Sequence, residues 1–113
     1  MNYQQYIPLI VEELKKAKPE KIILFGSYAY GTPNKDSDLD LIVITGDEYI
    51  PDSFREKMEL YHRIDPFIEN FRKKIPIDLI IYTKSMFKIL QERSSMFSKE
   101  INSKGKIIYE KHN

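Results

Sequence analysis

The chain contains no cysteine, which excludes disulfides, thiolate metal sites and a cysteine nucleophile together. It has no apolar run approaching the roughly 20 residues of a membrane-spanning helix. Its first residues, Met1-Asn-Tyr-Gln-Gln-Tyr6, carry neither the basic head nor the apolar stretch of a signal peptide. The expectation is a cytoplasmic protein with no membrane contact. A surplus of one charge is missing as well: 18 basic against 17 acidic side chains leave a net charge of +1, so bulk charge does not argue for nucleic acid as a partner. What is present, 42% hydrophobic and 31% charged residues, is the balance of a globular protein and not of a disordered one. A length of 113 residues makes a single domain over 1–113, too short for two independent cores.

In chain order, Ile7, Ile10, Val11 and Leu14 recur at helical spacing, predicting a first helix that covers a sheet. Pro8 is tolerated best in its first turn and Pro19 marks a point beyond its end. Lys21 to Phe25 reads as a strand, 28–31 as a short helical turn, 38–44 as a second strand and 76–83 as a third, buried one. Ser53-Phe-Arg-Glu56 has the spacing of a capping box for a second helix. Asp65-Pro66 interrupts it, as a kink or as the start of another helical segment, and Arg72-Lys-Lys74 is a solvated basic end. Thr83 is placed to cap a last helical region carrying Met86, Phe87, Leu90, Phe97 and Ile101, broken near Ser94-Ser95 and ended by Gly105. A short strand over 106–109 closes the chain. His62 and His112 read as surface residues.

Chemistry concentrates in one stretch. The apolar run Ile22-Ile-Leu-Phe25 stops at Gly26-Ser27, and a glycine that ends a buried strand lets backbone N–H groups approach an anion. Asp38 and Asp40 follow, one residue apart, so on a strand they point to the same face, about 7 Å from each other. Gly26 to Gly31 matches the glycine spacing of a P-loop, but Thr32-Pro33 stands where that loop needs a lysine and a hydroxyl. Asp36-Ser-Asp-Leu-Asp40 opens like a calcium loop, yet Leu41 takes the place of its glycine and Asp47 that of its glutamate. Asp78, flanked by Ile77, Leu79, Ile80 and Ile81, is costly to bury alone and requires a partner. Three carboxylates meeting at the mouth of a sheet suit two Mg²⁺ or Mn²⁺ ions about 4 Å apart, the arrangement that stabilises a phosphoryl or nucleotidyl displacement.

Gly26-Ser27, then Asp38-Leu-Asp40 after ten intervening residues, with a later Asp78 in a hydrophobic strand, resembles the DNA polymerase beta nucleotidyltransferase superfamily, and in its small size the minimal nucleotidyltransferases of that group. The resemblance implies an α/β (α+β) fold, a mixed sheet with helices mainly on one face. It implies that Asp38, Asp40 and Asp78 are catalytic metal ligands, the first two holding both Mg²⁺ ions. Gly26, Ser27 and Ser37 would bind the nucleotide. The implied reaction moves a nucleoside monophosphate, most simply AMP from ATP, to a hydroxyl and releases pyrophosphate. Tyr30 departs from the pattern, standing where many relatives carry an arginine, with Lys35 the candidate substitute. Tyr28 or Tyr30 could stack on a base. Lacking an acceptor-holding domain, such a chain would borrow acceptor contacts from a partner or from its own homodimer. Its relatives resemble the antitoxin half of two-protein systems, paired with a helical HEPN toxin whose tyrosine some of them adenylylate. The alternative implied role is an antitoxin-type binding module that neutralises its partner by occlusion alone.

Overall fold

Four strands frame the molecule: β1 (Lys21–Phe25), β2 (Leu39–Thr45), β3 (Ile77–Thr83) and β4 (Lys106–Glu110). They form one mixed sheet in the order β3-β2-β1-β4, with β1 antiparallel to both β2 and β4 and β2 parallel to β3. The structure, a computed structural model, describes residues 3–33, 36–93 and 95–112. Six helices accompany the strands among these residues: α1 (Ile7–Leu14), α2 (Ser27–Tyr30), α3 (Phe54–Ile64), α4 (Glu69–Arg72), α5 (Lys84–Glu92) and α6 (Met96–Lys104). None is long and apolar enough to cross a membrane.

The alternation of side chains along the strands divides the core in two. Ile22, Leu24, Leu39, Leu41, Val43, Ile77 and Leu79 face one side and pack against Ile7, Ile10 and Leu14 of α1 and Ile64 of α3. Ile23, Ile42 and Ile44 face the other and meet Ile101 of α6, with Phe87 and Leu90 of α5 half-buried beside them. The first cluster is the larger, but helices cover both faces of the sheet. The continuous apolar spelling of β1 and β2 follows from cover on both sides.

Caps and breaks largely fall where the residue types require. Pro8 occupies the first turn of α1, and Lys18, in the left-handed region with φ 55°, turns the chain toward β1. The Ser53 hydroxyl accepts from the Glu56 amide at 3.1 Å, and the Thr83 hydroxyl accepts from the Met86 amide at 3.1 Å. As expected, Asp65-Pro66 interrupts the helix: α3 ends at Ile64, and Pro66 stands in the first turn of a 3₁₀ helix, Asp65–Ile68, that leads directly into α4. Ser95 caps α6, while Ser94, the other half of the expected break, lies outside the described residues.

Arg72 departs from the expected solvated helix end. Its guanidinium is half-buried and donates to Asp65 Oδ1 at 2.7 Å, the Ile77 carbonyl at 2.8 Å and the Tyr61 hydroxyl at 2.7 Å. One side chain thus ties α3, the 3₁₀ turn and the first residue of β3 together, immediately before Asp78.

Candidate functional site

The strand register assembles the site. Asp40 lies opposite Phe25 on β1 and level with Asp78 on β3. Residues two apart share a face, so Asp40 and Asp78 project on the side of Ile42 and Ile80, the side covered by α5 and α6. Gly26 follows Phe25 directly. Its φ of 73° and ψ of −161° belong to a region that side-chain-bearing residues avoid, and a Cβ there would come within 2.1 Å of Asp40 Oδ2. Glycine is therefore required twice, by backbone conformation and by the carboxylate against it.

Beyond Gly26 the chain turns at once into α2, held by the Ala29 and Tyr30 amides donating to the Gly26 carbonyl at 3.0 and 3.1 Å. Ser27 is the first residue of α2, and Gly31, with φ 80°, ends it. Ser37 and Asp38 stand just ahead of β2, which begins at Leu39 and not at 38 as expected. Asn34 and Lys35 lie outside the described residues, so Lys35 as a substitute cation does too.

Asp40 is half-buried, whereas Asp38 and Asp78 are exposed. This overturns the premise from which Asp78 was singled out: it carries no burial penalty. Its neighbours Ile77 and Leu79 turn inward on the opposite face, and β3 is an edge strand, so period-two alternation leaves the carboxylate in solvent. The cost of desolvation falls on Asp40 instead. Burial, then the charges of Asp78 and Asp38, raise its carboxyl from 3.8 to about 6. Among the described residues no three Asp, Glu, His or Cys side chains are gathered closely enough to hold a metal ion. The two outer carboxylates sit on exposed side chains that can rotate. The donor set is all oxygen, which fits Mg²⁺ or Mn²⁺, and mutual repulsion around Asp40 is what a divalent cation would relieve.

Two further features of the site have no local sequence signal. The Tyr30 hydroxyl donates to Glu100 of α6, and Lys104, one helical turn further on, sets its ammonium 5.3 Å from the centre of the Tyr30 ring. The Glu100 hydrogen bond, burial and the Glu100 charge raise the Tyr30 phenol above 10.0; a hydrogen bond from the Gly26 backbone lowers it, and the Asp40 charge raises it. Tyr30 therefore lies across the glycine turn, within reach of the Asp40 field. Tyr28 does not share that position. It is 3% exposed, and its hydroxyl accepts from the Tyr3 amide at 3.0 Å, so stacking on a ligand is closed to it.

The family model for polymerase beta nucleotidyltransferases matches residues 9–113. Comparison with curated proteins finds no match. Among solved structures, a toxin-antitoxin with AMP-PNP superposes with a TM-score of 0.57 at 20% identity, over 91% of this chain and 72% of the other. A protein described as a nucleotidyltransferase from Sulfolobus solfataricus gives 0.61 at 16%, over 95% and 79%. A mutant MntA-HpeT toxin-antitoxin, in which two aspartates two positions apart are replaced by glutamate, gives 0.53 at 18%, over 99% and 76%. These likenesses are of fold.

Proposed function

We propose, from the premise that the chain belongs to the polymerase beta nucleotidyltransferase family, that it transfers a nucleoside monophosphate, AMP from ATP in the simplest case, to a hydroxyl and releases pyrophosphate. The observation that carries this reading is the register that sets Asp40 level with Asp78 while the Gly26 turn closes on the Asp40 carboxylate. Asp38 and Asp40 would hold two Mg²⁺ ions, and Asp78 one of them. Bound there, the ions supply charge stabilisation for the attacking and leaving oxygens of the displacement. Asp78, in solvent at the rim, is open to an incoming acceptor and able to take its proton. Gly26, Ser27 and Ser37 would offer backbone N–H and hydroxyl donors to the phosphates.

The acceptor in this reading is a tyrosine of a HEPN-type toxin, and the chain acts as its antitoxin. The toxin-antitoxin neighbours support it, one with a nucleotide analogue and another with substituted aspartates at the spacing of Asp38 and Asp40. A homodimer is the other source of acceptor contacts. The test is label transfer from α-labelled ATP, with Mg²⁺, to the product of the adjacent reading frame. Label on a tyrosine of that product, lost in Asp40→Asn, is expected; no transfer with any nucleotide would overturn the reading.

One observation favours a second reading, neutralisation by occlusion without transfer: Tyr30 and Glu100 place a phenol and a carboxylate at the glycine turn where a triphosphate would bind. The two readings part on Asp40→Asn. Occlusion predicts intact neutralisation by the variant, and transfer predicts a bound but active toxin.

A further inference from the structure

Helix α6 is built against the site by an independent contact. Phe97 packs edge-on to Phe25, the cross-strand neighbour of Asp40, with ring centres 6.0 Å apart and planes at 83°. One turn along, Glu100 receives the Tyr30 hydroxyl; another turn along, Lys104 sets its ammonium near the Tyr30 ring. Three contacts at successive turns therefore lay α6 along the glycine turn on the face where Asp40 and Asp78 project. The phenol held by Glu100 lies beside the backbone of Gly26, which precedes α2 by one residue.

A nucleoside triphosphate brings several negative charges to a place that the carboxylates of Asp38, Asp40 and Asp78 already make negative. Divalent ions would offset part of that charge beside the acids. The phosphates furthest from the acids need a cation from elsewhere. Lys104 is exposed, carries no carboxylate partner among the ion pairs of the described residues, and lies against the residue that covers the turn. Glu100, four residues before it, acts in the opposite sense, because its carboxylate repels phosphate and its hydrogen bond keeps Tyr30 in place.

We propose that α6 is part of the nucleotide site: Lys104 binds the triphosphate tail, and Glu100 holds Tyr30 over the Gly26 turn as a latch that the triphosphate displaces. This deepens the nucleotidyltransferase reading and rests on it. When the latch opens, Tyr30 uncovers the glycine turn for a phosphate oxygen and Lys104 loses the ring beneath it. The ammonium then pairs with phosphate in place of the aromatic face. Two residues on one helix face thus have opposite effects on the same ligand, which a purely structural role for α6 would not produce.

Equilibrium binding of AMP-PNP with Mg²⁺ tests this on the full chain, with thermal unfolding of each variant as the control for folding. Lys104→Met is expected to weaken binding about 10-fold, the loss of one charge-assisted phosphate contact, and Lys104→Arg to restore most of it. Glu100→Gln is expected to tighten binding by about 3-fold or more, since it removes the repelling charge and loosens the latch. Unchanged binding by Lys104→Met overturns the lysine's role, and unchanged or weaker binding by Glu100→Gln overturns the latch. Absence of binding by the wild-type protein overturns the nucleotide reading itself, and this inference with it.

Discussion

The two ends of β2 treat their carboxylates in opposite ways. Past its last residue, Thr45, Asp47 meets the Arg63 guanidinium in an ion pair, and that hydrogen bond holds its carboxyl below the ordinary range. At the other end Asp40 is half-buried, faces Asp78 and Asp38, and is pushed up to about 6. One end resolves its charge internally. The other sets the charges of Asp78 and Asp38 against a half-buried Asp40, with no ion pair to any of the three among the described residues, at a cost to the fold. A cluster that destabilises the free protein is tolerated where a ligand compensates it, and a divalent cation with a polyphosphate is the ligand that this donor set fits.

Breaking the uncompensated end has the largest expected effect. On the proposed reading Asp40→Asn removes an oxygen donor shared by both ions, and several kcal/mol of lost charge stabilisation corresponds to about 10³-fold in rate. Nucleotide transfer measured with α-labelled ATP checks it, and a variant within 10-fold of wild type would remove Asp40 from the chemistry. Gly26→Ala comes next. Its Cβ would fall on Asp40 Oδ2 at 2.1 Å from a backbone with φ 73°, so loss of transfer is expected together with about 1–3 kcal/mol of stability, read by urea unfolding.

Arg72→Ala sharpens the comparison from outside the acids. It removes three hydrogen bonds and leaves Asp65 and the Ile77 carbonyl without that donor. A loss of about 2 kcal/mol is expected, with a fall in transfer because the strand start that carries Asp78 is freed. Unchanged unfolding would show that other contacts hold β3.

The smallest effect, and the one that addresses the comparison itself, is on stability against pH without divalent cations. The Asp40 carboxyl is higher in the folded protein than its ordinary 3.8, so the folded state binds the proton more tightly and this group subtracts stability as pH rises through about 6. The Asp47 carboxyl is lower when folded, so it adds stability that disappears as pH falls through the acid range. Near neutral pH, Asp40→Asn should therefore raise the melting temperature and Asp47→Asn should lower it. Both differences should close on acidification. The same sign for both variants would dissolve the contrast between the two ends.

Much of this was readable from local pattern. The stripe Ile7, Ile10, Val11 and Leu14 gave α1, Ser53 and Thr83 capped the helices that follow them, and the strand-ending Gly26 and the acid Asp40, singled out together, lie against each other. Asp78 was singled out for burial that it does not have, because the apolar letters around it do not reveal that β3 is an edge strand. Arg72 read as a solvated charge since its partners lie 5 to 11 residues away and converge only when α4 packs on β3. The contact between Tyr30 and Glu100 spans 70 positions and has no signature in either neighbourhood. Period and capping are properties of a few adjacent residues, whereas edge position and cross-element hydrogen bonds are properties of the assembled sheet.

The central claim, that Asp38, Asp40 and Asp78 form a centre for divalent cations and nucleotide, is tested most directly by Mn²⁺ binding. Paramagnetic resonance of free Mn²⁺, titrated with protein in the presence of AMP-PNP, reports it without requiring an acceptor. The account predicts that wild-type protein depletes the free-ion signal beyond what the nucleotide alone removes, and that Asp40→Asn and Asp78→Asn return it toward the nucleotide-only level. Equal depletion by wild type and both variants would contradict it.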